Sequence, residues 1–364
     1  MKIVVFGLTM SSSWGNGHAT LWRGLVKALH AAGHRVVFFE QDVPYYAENR
    51  DVTEIPGGEL ILYPGWDDIS PLAERHVAEA DVAMVTSYCP HGIEATALVL
   101  GGSRAVRVFY DLDTPVTLSR LQAGETTTYI GPEGLGGFDL VLSYTGGAAL
   151  DALRDGLGAR RVAPLYGHVD PDVHRPVGPV EAFRADLSYM GTYAADRQAA
   201  LEALFVEPAR LRPGQRFLIG GAQYPGDFPW TDNIFFVRHL PPSTHPAFFA
   251  SSRMTLNVTR AAMAAMGWCP SGRLFEAAAC GCPLLTDTWD GLDSFFRPGT
   301  EILTAASTEE AVAALDLSDA ELARIGRAAR ERTLSEHTSA HRAATLVALV
   351  EAVRGGAQPA MMEA

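Results

Sequence analysis

The sequence predicts an α/β protein of two doubly wound, Rossmann-like domains, and three observations carry that expectation. Short apolar runs such as Ile3-Val4-Val5-Phe6 alternate with stretches of helical periodicity, as parallel strands buried on both faces require. The alternation breaks off in a stretch rich in Pro, His and Asp, Ala163 to Pro176, and then starts again. At 364 residues, one core is a poor expectation and two domains a good one.

Residues 3–8 read as the first strand. Leu21, Leu25, Ala28, Leu29 and Ala32 then fall at helical spacing, and Gly33 ends that helix. Arg35 to Phe39 is the next strand, which completes a βαβ unit. Further strands are expected at 60–63, 81–86, 105–110 and 139–143. Beyond the break, strands are expected at 187–191, 216–221, 234–237 and 254–258. Helices are expected over Asp196–Leu204 and His245–Ala250. The last helices are expected at 311–315, 319–334 and 340–353, the final one striped by Leu346, Leu349, Val350 and Val353. Two such halves leave a cleft between them, a favoured ligand location in this fold class.

The net charge of −13 speaks against nucleic acid as a partner but leaves room for a small basic pocket. Cys89, Cys269, Cys280 and Cys282 are too few and too irregular for a disulfide framework or a zinc site. They read as core thiols. The chain opens directly on a strand, without a signal peptide, and no run of about 18 apolar residues spans a membrane. A cytoplasmic protein is expected.

The most informative stretch is Gly267 to Thr286. Pro270 stops any helix before it, Ser271 can cap a helix from Gly272 to Cys280, and Gly281 suits a left-handed end. Such a helix points N–H groups and the positive end of its dipole forward. Arg273 in its first turn adds a fork of donors suited to phosphate, and Glu276 one turn on can grip ribose hydroxyls. Arg273 and Glu276 can equally pair with each other at i,i+3.

Other candidates lie at strand ends. Gly191 allows close backbone approach, and Arg197 can meet a phosphate or pair with Asp196 or Glu202. Asn257 and Arg260 follow a later strand. The recurrence of Arg197, Arg260 and Arg273 at strand ends in an acidic chain calls for an anionic ligand. In the first half, Gly15-Asn16-Gly17-His18-Ala19-Thr20 lacks the third glycine of a dinucleotide fingerprint. His18, at a helix start, can act as a base or bond the transferred group, or simply close the loop. Asp111 and Asp113 in Tyr110-Asp111-Leu112-Asp113 can orient His18, bind acceptor hydroxyls or serve as turn residues; a metal role is not favoured.

These motifs together resemble the GT-B glycosyltransferases, and among them the CgeB-like, spore-maturation-protein-like branch. The resemblance rests on Trp14 to His18 with Gly33 to Val36, on Asp111 to Pro115, on Gly191 to Arg197, and on Asn257 through Gly281, and spans roughly residues 1–350. It implies GT-B architecture, with two Rossmann-like domains facing across a cleft and a C-terminal helix crossing back to the first. It also implies a hexosyltransferase-type enzyme that uses a nucleotide-diphosphate sugar, with UDP favoured, as co-substrate, and has no cofactor and no metal. Glu276 would hold ribose, Arg197 the diphosphate, and the backbone near His239 and Leu240 the base. Gly15, Gly17, Gly191, Asn257, Arg260, Ser271, Gly272 and Arg273 complete the expected nucleotide-sugar site, and His18, Asp113 and Asp111 the catalytic set. The acceptor is a small molecule, glycan or protein, and a homodimer is compatible with this reading.

One departure stands out. Many retaining relatives carry a second glutamate eight residues before the ribose glutamate, where this chain has Trp268. The stereochemical outcome is therefore left open. A nucleotide-sugar 2-epimerase and a non-catalytic nucleotide-sugar-binding protein are the competing readings, since fold alone does not fix function. The expected boundaries are an acceptor-side domain at 1–165, a linker at 166–179, a donor-side domain at 180–338, the returning helix at 339–354 and a disordered tail at 355–364.

Overall fold

The computed structural model describes residues 1–102 and 104–356; the tail from 357 onward lies outside the described residues. The chain divides into two units. Met1–Tyr166 and the segment from Ser339 form the first, and Gly167–Thr338 the second.

The first unit contains β1 (Lys2–Gly7), β2 (Arg35–Gln41), β3 (Gly58–Tyr63), β4 (Val82–Thr86), β5 (Val106–Asp111), β6 (Leu140–Ser143) and β7 (Val162–Pro164). They form one parallel sheet in the order β3-β2-β1-β4-β5-β6-β7. Its helices are α1 (His18–Ala31), α2 (Pro44–Ala47), α3 (Trp66–Ala78), α4 (Gly92–Leu100), α5 (Thr114–Gln122) and α6 (Ala148–Leu157). β1 and β4 are buried along almost their whole length, which explains their unbroken apolar sequences. The direction of winding reverses between β1 and β4, so the loops leaving these strands flank a topological switch point.

β7 falls where the sequence suggests the beginning of the irregular stretch. It has three residues, pairs with β6 alone and ends on Pro164. An edge position tolerates that proline, whose missing N–H would break a central ladder.

The second unit repeats the plan. Its strands are β8 (Ala185–Met190), β9 (Phe217–Gly221), β10 (Ile234–Arg238), β11 (Ser252–Asn257), β12 (Leu284–Thr286) and β13 (Leu303–Thr304). They form a second parallel sheet in the order β10-β9-β8-β11-β12-β13. The helices are α7 (Gln198–Leu201), α8 (Glu207–Leu211), α9 (His245–Ala250), α10 (Ala261–Met266), α11 (Gly272–Ala279), α12 (Thr308–Leu315) and α13 (Asp319–Glu336). Here the winding reverses between β8 and β11.

The helix expected at Asp196–Leu204 is more broken than its composition suggests. A 3₁₀ turn at Ala195–Arg197 precedes α7, and a π turn at Glu202–Val206 separates α7 from α8. Pro208 accounts for the π turn. Lacking an N–H, it cannot bond the carbonyl four residues back, and the wider turn relieves the clash. α10 was not anticipated, although Ala261-Ala262-Met263-Ala264-Ala265-Met266 is rich in helix-forming residues.

The last helix, α14 (Ser339–Arg354), packs on α1 within the first unit. Its buried face carries Ala343, Leu346, Leu349 and Val350. α1 itself buries Leu21, Trp22, Leu25, Val26 and Leu29, with the Trp22 ring against Phe38 and Tyr110. Arg354 pairs with Asp81 at 2.7 Å and fastens the helix end. All four cysteines are free and buried. Among the described residues, no helix is long and apolar enough to cross a membrane.

Leu346 is only 1% exposed. Leu346→Ala is expected to cost roughly 2–4 kcal/mol. Hydrogen exchange should show the loss in amides of β1 and α1 and leave β8 protected; equal loss in both sheets would contradict the assignment of α14 to the first unit.

Candidate functional site

The second unit gathers its charged candidates at the switch point. β8 delivers Gly191, β11 delivers Asn257, and α11 begins beside them. The close approach depends on glycine. A Cβ on Gly221 would lie 2.0 Å from the Gly191 carbonyl oxygen, and one on Gly220 would lie 2.1 Å from Leu240. A Cβ on Gly191 would meet the Tyr189 hydroxyl at 2.9 Å and Arg273 Nη2 at 3.4 Å. Gly191 thus presents bare backbone to a guanidinium.

Arg273 Nη1 donates to Asn257 Oδ1 at 3.3 Å, and its guanidinium lies 5.8 Å from the centre of the Tyr189 ring. Asn257 is fully buried and donates in turn to Thr286 Oγ1 at 3.0 Å. It therefore aims Arg273. Arg197 Nη1 donates to the Thr192 carbonyl at 3.3 Å. The Nε atoms of both Arg197 and Arg273 are buried without a hydrogen-bond partner. Burial, and then the charge of nearby Arg197, push the Arg273 guanidinium below its ordinary value. Tyr224 sits close to both cations and donates to the Gly191 carbonyl at 3.2 Å.

Arg260 differs from these two. It pairs with Asp196 at 3.1 Å, with about a third of each side chain exposed. The sequence offered Asp196 as a partner for Arg197, but Arg260 takes it. Ser271 has the extended backbone of an N-cap, yet its hydroxyl makes no capping hydrogen bond to the start of α11. Gly281 adopts the left-handed conformation, with φ +77°.

Glu276 is 9% exposed and turns toward two histidines that sequence reasoning did not single out. Glu276 Oε1 lies 3.8 Å from His174 Nε2, and Oε2 lies 3.9 Å from His245 Nδ1. His174 comes from the irregular stretch after β7 and His245 from the start of α9. Burial lowers His245 to about 4, a shift that the Glu276 carboxylate opposes. His245 Nε2 bonds the Leu240 carbonyl at 3.1 Å. His239, next to it, is held in the left-handed region at φ +50° and donates its N–H to Gly221 at 2.8 Å.

In the first unit, one residue organises the loop after β1. Glu40 is fully buried at the end of β2. It accepts from Thr9 Oγ1 at 2.6 Å and from the N–H groups of Met10 and Ser11 at 2.8 and 3.0 Å. In the sequence Glu40 directly follows the strand expected at Arg35 to Phe39, and an acid closing an apolar strand was the available signal. Asn16 continues the scaffold by donating to Thr9 O and accepting from the His18 N–H at 3.0 Å. Gly15 is left-handed at φ +59°, and a Cβ there would meet the Tyr45 hydroxyl at 2.8 Å. Gly17 at φ −69° caps α1 and borders open space.

The His18 ring lies 6.3 Å from that of Tyr88, whose hydroxyl donates to Asp113 Oδ2 at 3.0 Å. Tyr88, not a direct bond, links His18 to the aspartate loop. The two aspartates divide their tasks. Asp113 is half-buried, whereas Asp111 is fully buried and accepts from the Asp113 N–H and from Thr117 Oγ1, both at 3.1 Å. Asp111 supports the turn on which Asp113 sits.

Burial raises the Asp111 carboxyl from 3.8 to about 7. Between these pH values the folded protein holds a proton that the unfolded chain has lost, so stability falls as pH rises through this window. Asp111→Asn should flatten that slope and raise stability at pH 7.5 by on the order of a few kcal/mol. Urea denaturation at about pH 4.5 and 7.5 checks this; parallel pH dependence in the two proteins would refute it.

Residues 197–348 match the family model described as glycosyl transferase-like. A comparison with curated protein sequences finds no match. Among solved structures, sucrose-phosphate synthase of Thermosynechococcus elongatus is similar at TM-score 0.72 and 14% identity, over 98% of this chain and 100% of that one. HepE of Anabaena in complex with UDP-glucose is similar at TM-score 0.66 and 13% identity, over 97% and 100%. An alpha-glucosyltransferase in complex with UDP and a DNA 13-mer gives TM-score 0.69 at 12% identity, over 96% and 99%. The chain has the GT-B fold of these glycosyltransferases, and its second unit carries a glycosyl transferase-like sequence.

Proposed function

We propose that the protein transfers a sugar from a nucleotide-diphosphate sugar, with UDP-sugars favoured, to an acceptor held by the first unit. The observation that carries this reading is the pair Arg197 and Arg273, each with a buried Nε that has no partner, beside the bare backbone of Gly191. Neighbouring cations in low dielectric repel, and their burial is costly without a counter-charge. A diphosphate supplies that charge. As the sugar leaves, negative charge grows on the nucleotide, and donors already in place stabilise it without reorganising. Two guanidiniums do the work for which other transferases use a divalent cation, so transfer is metal-independent.

The choice of UDP is supported by the fold's company. HepE and the alpha-glucosyltransferase, which share the fold, are seen with UDP-glucose and UDP. Glu276 would accept from the ribose hydroxyls, and the backbone near His239 and Leu240 would meet the base. Gly191, Ser271 and Gly272 supply close approach, Asn257 aims Arg273, and Arg260 with Asp196 borders the site. In the first unit, His18 takes the acceptor proton or positions the transferred sugar, with Asp113 binding acceptor hydroxyls. Asp111 acts through Asp113. The motifs at 14–18 and 257–281 favour a CgeB-like branch, and the absence of a membrane-crossing helix among the described residues supports a cytoplasmic setting.

UDP should raise the melting temperature of the protein. Arg273→Ala and Arg197→Ala should each weaken UDP binding about 10- to 100-fold, as expected for loss of a charge-assisted hydrogen bond. Calorimetric titration showing unchanged affinity in both variants would refute the site. His18→Ala should keep UDP affinity and lower transfer to an acceptor panel by about 10²- to 10⁴-fold, followed by mass spectrometry; undiminished transfer would remove His18 from the mechanism.

A further inference from the structure

His174, His245 and Glu276 all belong to the second unit and turn their ligand atoms toward one another. His174 Nε2 and His245 Nδ1 are 3.5 Å apart. The two carboxylate oxygens of Glu276 lie 3.8 Å from the first and 3.9 Å from the second. These separations are at or beyond the outer limit of a useful hydrogen bond. They are close to the edges of a metal tetrahedron: bonds of about 2.0–2.1 Å to zinc place neighbouring ligand atoms roughly 3.3–3.4 Å apart. With one ligand atom taken from each residue, all three lie within 4.8 Å of one another, so side-chain rotation that shortens the longest separation would bring the three groups onto one ion.

The orientation of the His245 ring is already set. His245 Nε2 is bound to the Leu240 carbonyl at 3.1 Å, which assigns the proton to Nε2 and leaves the Nδ1 lone pair facing the cluster. His174 is 3% exposed on a turn closed by its own N–H to Asp170 O at 2.9 Å. Glu276 is fixed on α11 and buried to a similar degree. Two imidazoles and one carboxylate suit zinc and its neighbours rather than magnesium, which prefers oxygen ligands and octahedral geometry. Three protein ligands leave a fourth position for water.

We propose that His174, His245 and Glu276 form a binding site for a divalent transition metal of the zinc class, and that its occupancy withdraws the Glu276 carboxylate from other ligands. The second clause rests on the reading of Glu276 as a ribose ligand; the first does not. Metal bound here would antagonise the nucleotide while leaving the diphosphate-binding arginines in place.

The test uses the full-length, chelator-treated protein. Zn²⁺ titrated by calorimetry should bind one per chain, and Co²⁺ should give the intense visible bands of a four-coordinate site. Magnesium should not displace either. His174→Asn, His245→Asn and Glu276→Gln should each lower zinc affinity at least 10-fold, whereas His30→Asn, on the exposed end of α1, should not. Equal zinc affinity in the His174→Asn/His245→Asn double variant, or no zinc binding by the native protein, would overturn the proposal. Circular dichroism of the metal-free variants checks folding, and the cobalt spectrum of the native protein remains decisive if one variant does not fold. Zinc should also raise the apparent Kd for UDP in the native protein and not in the double variant. Unchanged UDP affinity in Glu276→Gln would overturn the ribose reading and the antagonism while leaving the metal site standing.

Discussion

Two guanidiniums held near each other, neither in an ion pair with a carboxylate among the described residues, set the terms for the second unit. Arg197 and Arg273 repel, yet the surrounding residues hold them together. Gly221 lets the end of β9 close up on Gly191, just beyond β8, where a Cβ would lie 2.0 Å from the Gly191 carbonyl oxygen. Asn257, buried and held by Thr286, keeps one guanidinium aimed. Tyr189 offers its ring face as partial compensation. Two like charges brought together at low dielectric repel, so the arrangement costs the second unit stability.

The first unit solves a different problem. Its loop after β1 is rich in hydroxyls and buried, and a buried loop must find partners for its backbone. Glu40 supplies them. One carboxylate receives two N–H groups and a threonine hydroxyl, and so fixes the path that ends at His18. The freedom at Gly15 and the cap at Gly17 are useful only because that path is fixed.

The two sheets, their parallel sense and most strands were legible because continuous apolar runs admit few alternatives. α11 was equally legible, with Pro270 before it and Gly281 after it. What the sequence concealed was mostly pairing. Asp196 could serve Arg197 or Arg260, and only the fold shows that Arg260 takes it. Asp111 and Asp113 look alike in the chain but differ in burial, and burial raises the Asp111 carboxyl to about 7. His174 and His245 lie 71 residues apart, and no local spacing rule links them. The helix expected to stop at Leu204 runs on through a π turn and past Pro208, because composition alone does not tell a proline that ends a helix from one tolerated at the start of the next segment.

The return of α14 to α1 has a consequence for how the protein is made. The first unit is interrupted in sequence, with the whole of Gly167–Thr338 placed between its two parts. A ribosome therefore finishes the second unit while the first still lacks the helix that packs on α1. The later unit in space can be the earlier one in time. Until Ser339–Arg354 emerges, the face of α1 on which it packs is open to a chaperone or another nascent chain, so this sixteen-residue helix completes the first unit only after the second has been made.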